Sequence, residues 1–172
     1  NAALRAGNAV EIAARTTTPG EVDSDVYAIS VSALGSVGAG ASFVELNSST
    51  SVDILDGAVI EGLTDQTAVG SITITSQRED VARAEILAAS ASLGVALSGT
   101  YTQVENRGTA NVTLGRVDGA ASRLRGTEVS VNVGDRTRSS AQSITAVGAG
   151  FLAGAGSFAV ANNASTTTLN LD

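Results

Sequence analysis

The chain has 172 residues, 43% of them hydrophobic, which is enough to fold, but with five aromatics and no Met or Trp the core must be built mainly from Ala and Val. Seventeen acids against ten basic residues give a net charge of -7, which excludes an extended nucleic-acid surface. The absence of Cys excludes a disulfide framework and thiolate metal centres, and without His there is also no familiar nucleophile and base pair.

The first recognisable segment, Gly7-Asn8-Ala9-Val10-Glu11-Ile12, alternates apolar and polar residues between turn formers, the pattern of a strand half-buried on one face. Similar segments follow at Gly70-Ser71-Ile72-Thr73-Ile74-Thr75 and Gly126-Thr127-Glu128-Val129-Ser130-Val131. The 62-residue step from Val10 to Ile72 is longer than the 57-residue step from Ile72 to Val129. It spans the only Pro, at position 19, and predicts a loop insertion reaching from Thr16 to Asp25. Glu21, Asp23 and Asp25 in that loop are oxygen ligands of the kind calcium takes. They occur in one unit only and lack the Gly-rich calcium nonapeptide, so a charged loop without metal is expected.

Next comes a Gly/Ala/Ser-rich run that begins near Ile29, Ile86 and Ile144 and ends in an aromatic: Phe43, Tyr101 and Phe158. The aromatics are separated by 58 and 57 residues and the isoleucines by 57 and 58. In the second copy, residues 81–91 also favour a helix, with Ala82, Ala84, Glu85, Leu87, Ala88 and Ala89. The β-branched first copy, Ala28-Ile29-Ser30-Val31-Ser32, argues for strand in all three. Small residues would let two layers approach closely, with the aromatic filling the core where they part and the following Asn47, Asn106 and Asn162 marking a bend. Residues 143–161 carry no charge and approach the length of a bilayer span. The other copies place Glu45, Glu85 and Glu105 in the same frame, so a buried strand is expected and no membrane span.

The last block is Ser51-Val52-Asp53-Ile54, Asn111-Val112-Thr113-Leu114 and Thr168-Leu169-Asn170-Leu171, with Val52, Val112 and Leu169 at steps of 60 and 57. Turns are predicted after it at Asp56-Gly57-Ala58 and Asp118-Gly119-Ala120. Blocks in a constant order, three times over, make an internal repeat of about 57 residues. The expected fold is an all-β parallel β-solenoid (β-helix): one repetitive segment over 1–172, with units near 1–55, 56–114 and 115–172. Its repeat-core stack is Ile29, Ile86 and Ile144; Phe43, Tyr101 and Phe158; and Val52, Val112 and Leu169. Whether each unit winds one coil or two stays open. The frame of the repeats leads us to expect continuation at both ends, by the same polypeptide or by neighbouring copies.

The run Val37-Gly38-Ala39-Gly40-Ala41-Ser42-Phe43, leading through Asn and Thr to an Asp-Gly-Ala turn and a Val-x-Val strand, resembles the repeats of large bacterial exoproteins, the filamentous-haemagglutinin and leukotoxin-like adhesins. That resemblance implies a secreted, surface-displayed stalk or fibre and carries no catalytic residue. The expected function is therefore a structural or adhesive module of an extracellular bacterial filament, not an enzyme and without cofactor. Its partners would be copies of itself or adjoining repeats joined head-to-tail, and a host or matrix surface. The alternative is a carbohydrate-binding or polysaccharide-cleaving β-helix protein, with Asp56, Glu61 and Asp65 as the candidate carboxylates.

Overall fold

The computed structural model describes residues 3–17, 22–55, 57–64, 67–68, 70–115 and 122–171. Eleven strands and no helix make up this part of the protein: β1 (Ala3–Ala6), β2 (Ala9–Thr17), β3 (Val22–Ser32), β4 (Gly35–Leu55), β5 (Val59–Thr64), β6 (Thr67–Ala68), β7 (Ser71–Ser92), β8 (Val95–Gly115), β9 (Arg123–Arg125), β10 (Glu128–Ala149) and β11 (Leu152–Leu171). The stretch with competing helix propensity lies inside β7, so the alternation and tertiary pairing prevail over its alanines.

Equivalent strands of the three units lie side by side, all parallel. One sheet has β7 at its centre, with β2 and β3 on one side and β10 on the other. A second has the order β11-β8-β4. In a third and smaller sheet, β5 pairs with β1 and β9 in parallel and with β6 antiparallel. Because copies of the same block hydrogen-bond directly, each unit contributes one layer. The two-coil arrangement, in which equivalent strands would not touch, does not occur.

The pairings also give the true period of each block. β2 is offset from β7 by 62 residues (Val10↔Ile72) and β3 by 60 (Val22↔Ala82), so the insertion in the first unit amounts to two residues. The structure corrects the expected 16–25 loop: Thr16 and Thr17 end β2 and Val22–Asp25 begin β3, with 18–21 outside the described residues. Gly57 has φ 70°, as its predicted turn requires, while Asp56 and residues 118–120 also fall outside them. Residues 143–161 divide between β10 and β11, and no helix among the described residues is long and apolar enough to cross a membrane.

The two large sheets pack face to face and enclose two apolar clusters. One gathers Val10, Ile72 and Ile74 from the first sheet, Val52, Ile54, Val112 and Leu114 from the second, and Ile60 from β5. The other, smaller one holds Ala82, Ala84, Val44 and Val104. Short connections such as Leu93-Gly94 turn the chain from one sheet to the other, and nearby the sheets come very close. A Cβ on Gly38 would sit 2.9 Å from the Ala89 carbonyl oxygen. The small residues there are a condition of this approach.

Burial depends on position in the stack. In the middle unit Ile72 and Val112 are 0% exposed, whereas their third-unit counterparts Val129 and Leu169 are 42% and 45% exposed. The first unit, with a neighbouring layer on one side only, keeps Val10 and Val52 at 4% and 7% exposed, so it is at the third unit's end of the stack that the inner face opens.

Two of the three predicted core stacks are corrected. Ile29 pairs with Ala89, Ile86 with Ser143, and Ile144 with Leu87. The structural offsets are 60 and 57, whereas the isoleucines are spaced at 57 and 58, an odd mismatch each time. Since side chains alternate faces, an odd mismatch puts them on opposite sides of the sheet. Ile86 is fully buried, while Ile29 and Ile144 face outward. Phe43, Tyr101 and Phe158 do form a ladder, with ring centroids 5.4 and 5.6 Å apart. It lies outside the core, Phe43 being 64% and Phe158 58% exposed. Phe158 sits beside Tyr101 in the pairing, while Phe43 is two residues out of line and reaches Tyr101 diagonally. Val52, Val112 and Leu169 pair directly, facing the interior.

Candidate functional site

Two features carry the chemistry of the described residues: a buried polar cluster between the sheets, and an outer surface that is charged at one end and uncharged at the other. The cluster originates in the alternation of β7. The parity that buries Ile72 and Ile74, and further on Ala82, Ala84 and Ile86, also points Ser76, Arg78 and Asp80 inward. Arg78 is fully buried, between the two apolar clusters.

Its guanidinium is held by all three units. Nε donates to Ser48 Oγ of the first unit and lies against Asp80 of its own strand. Nη2 donates to Asn106 Oδ1 and, at 3.1 Å, to the Arg107 carbonyl oxygen on β8. Nη1 bridges both carboxylate oxygens of Asp135 in the third unit, at 3.3 and 3.1 Å. Ser48 in turn donates to Asp80. The planar guanidinium thereby meets acceptors on both sheets and in all three layers, a geometry that the point charge of a Lys cannot reproduce. Gly108 provides the room. A Cβ there would stand 2.2 Å from the Ser48 carbonyl oxygen and 2.4 Å from Arg78 Cζ.

Such a cluster acts on alignment. Moving one layer along its neighbour by one residue would turn Asp135 out of the interior and leave the guanidinium facing an unmatched partner, whereas a slip among Val, Ala and Ile costs much less. Sequence reasoning missed these residues, although the signal was present. Extending the Ile72/Ile74 parity through 76, 78 and 80 places an arginine and an aspartate on the apolar face, and the 57-residue period brings Asp135 beside Arg78. The predicted Asn bend is also corrected. Asn47 and Asn162 lie inside unbroken strands opposite Arg107 and Glu105, and Asn106 lies between Leu46 and Asn163, so the three predicted asparagines do not stack on one another, and Asn106 serves Arg78.

Of the carboxylates considered for sugar chemistry, Glu61 is buried and pairs with Arg5 at 3.1 Å, while Asp56 and Asp65 lie outside the described residues. Asp23 and Asp25 point outward from β3 opposite Arg83 and Glu85, and no group of metal-ligating side chains occurs among the described residues. Glu21 lies outside them.

The outer surface is divided. Towards the Arg78 end it carries charge, with Arg83–Glu85 and Arg107–Glu105 pairs along single strands and Arg136–Glu79 between layers. Residues 27–43, 87–103 and 144–160, which form the tight-turn end of every unit, contain no charged residue. There Tyr27, Ile29, Val31, Val37 and Phe43 are exposed on the outer faces, and Leu34, Leu93 and Phe151 at the turns are 80–88% exposed.

Comparison with protein-family models, with curated proteins and with solved structures gives no match to this chain.

Proposed function

We propose that this chain is a structural module of an extracellular bacterial filament, a β-solenoid in which each unit winds one coil, and that its work is mechanical and not catalytic. The observation that carries this reading is the open inner face of the third unit: Val129 and Leu169 are exposed there, where their counterparts Val10 and Val52 in the first unit and Ile72 and Val112 in the second are buried. A layer added to β10 and β11 in the same parallel pairing would cover Val129, Leu169 and Leu171 and use the unpaired backbone groups along those strands. The contact is head-to-tail and open, so it propagates as a rod instead of closing into a ring. The layer is supplied by adjoining repeats or by another copy of the chain.

Extracellular placement and adhesion to a host or matrix surface rest on the resemblance to bacterial exoprotein repeats, and the long in-register pairing suits them, since each backbone bond is shared by layers that must open together. Electron microscopy of native cell-surface material labelled with an antibody to this chain tests the reading. Labelled long unbranched fibres are expected. Label confined to the cell interior, or to discrete globules, refutes it.

A further inference from the structure

We propose that the outer face of the β4–β8–β11 sheet is a self-association surface that takes a second copy of this chain, the aromatic ridge of each copy lying in a glycine-floored trough of the other. The ridge is the ladder of Phe43, Tyr101 and Phe158, with its rings side by side, the outer two exposed and Tyr101 half-buried between them. Two residues nearer the tight turn, on the same face, Ala39, Gly99 and Gly156 pair across the three layers. Apart from the Ala39 methyl this floor is empty of side chains: a Cβ on Gly156 would meet nothing within 4 Å, and one on Gly99 would meet only the Gly156 carbonyl oxygen at 4.0 Å. Val37 and Leu97, paired and exposed, form the far wall.

Ridge and trough run in the same direction, across the strands, and their centres are about 7 Å apart from the rise of two residues. A two-fold axis parallel to that direction, set midway between them, places each ridge over the other copy's trough with both stacks pointing the same way. The contact is therefore isologous, and every added layer extends it. About that axis the uncharged positions 97–103 overlap, and three strands at about 4.8 Å spacing and seven residues of about 3.3 Å rise give roughly 330 Å² of face per copy. The total, roughly 660 Å², lies below the usual size of a stable interface, so three layers associate weakly and longer stacks strongly.

The chemistry of the face selects this occupant. An anionic membrane surface attracts Lys and Arg, but the chain has net charge -7, and the uncharged segments contain no basic residue. A second uncharged sheet face imposes no such requirement.

Sedimentation equilibrium from about 10 µM to about 1 mM tests the proposal over the range where weak pairing is visible. The native chain is expected to rise from 17.0 kDa towards twice that mass. The double variant Gly99→Val, Gly156→Val fills the trough with β-branched residues suited to a strand, and is expected to keep its circular dichroism and lose association at least about tenfold. Tyr101→Ser, which takes the central ring out of the ridge, is a second variant expected to do the same. A native chain that stays at 17.0 kDa throughout overturns the proposal, as does a dimer unaffected by both variants. So does a monomer that binds phosphatidylcholine vesicles through this face. The axial stacking proposed above uses the strand edges, which these substitutions leave intact, so the two readings fail separately.

Discussion

Replacing Arg78 by Met removes the one cation of the buried cluster while keeping an unbranched side chain in its place. Asp80 and Asp135, with side chains 1% and 6% exposed, then lose the guanidinium that faces them. Asn106 Oδ1 and the Arg107 carbonyl lose its donors at the same time. Breaking a buried pair in this way costs about 3–5 kcal/mol, because the remaining carboxylates have lost their water and the cation that offset it. With an unfolding entropy of about 2.1 cal/mol/K per residue, 172 residues convert a 4 kcal/mol loss into a fall of about 11 °C in thermal midpoint. Thermal denaturation followed by circular dichroism, with urea titration for the free energy, gives the comparison. The triple variant Arg78→Met, Asp80→Leu, Asp135→Leu supplies the control, since apolar replacement of a whole buried ionic group is often neutral or stabilising, and it is expected to recover most of the loss. A single variant within about 1 kcal/mol of the native chain would refute the reasoning, since it would mean that the cluster's charges are not desolvated.

Ile86→Ala empties a fully buried position and is expected to cost about 2–5 kcal/mol, against less than about 0.5 kcal/mol for Ile29→Ala on the outer face; equal midpoints in urea would contradict the assigned faces. The exposed aromatic ladder predicts about 0.5–1.5 kcal/mol for Phe43→Ala or Phe158→Ala and up to about 3 for Tyr101→Ala, which has a ring on both sides; losses of 3–5 kcal/mol at all three in thermal melts would return them to the core. Gly108→Ala puts a methyl against Arg78 and is expected to destabilise by about 1–3 kcal/mol, whereas Gly148→Ala, where a Cβ meets nothing within 4 Å, is neutral or stabilising by up to about 1 kcal/mol, as differential scanning calorimetry would show.

The sequence by itself determined the repeat, the order of its blocks and their strand character, because period-two alternation and recurrence every 57 to 62 residues are properties of the chain read in one dimension. It also determined that Val52, Val112 and Leu169 share a row. Only the tertiary structure decided which face each residue takes within the Gly/Ala-rich run. There small residues align almost equally well at 57, 58 or 60, and a difference of one residue exchanges inside for outside, as Ile29, Ile86 and Ile144 show. The aromatics made the same point in another way. Their mismatch was even, so they remained on one face and met as a ladder, but a stack of like residues forms as readily on the outer side as on the inner one. Arg78 required both levels: its inward parity was written in β7, while the acceptors that make a buried guanidinium tolerable come from a neighbouring sheet and from two other layers, and only folding brings those together.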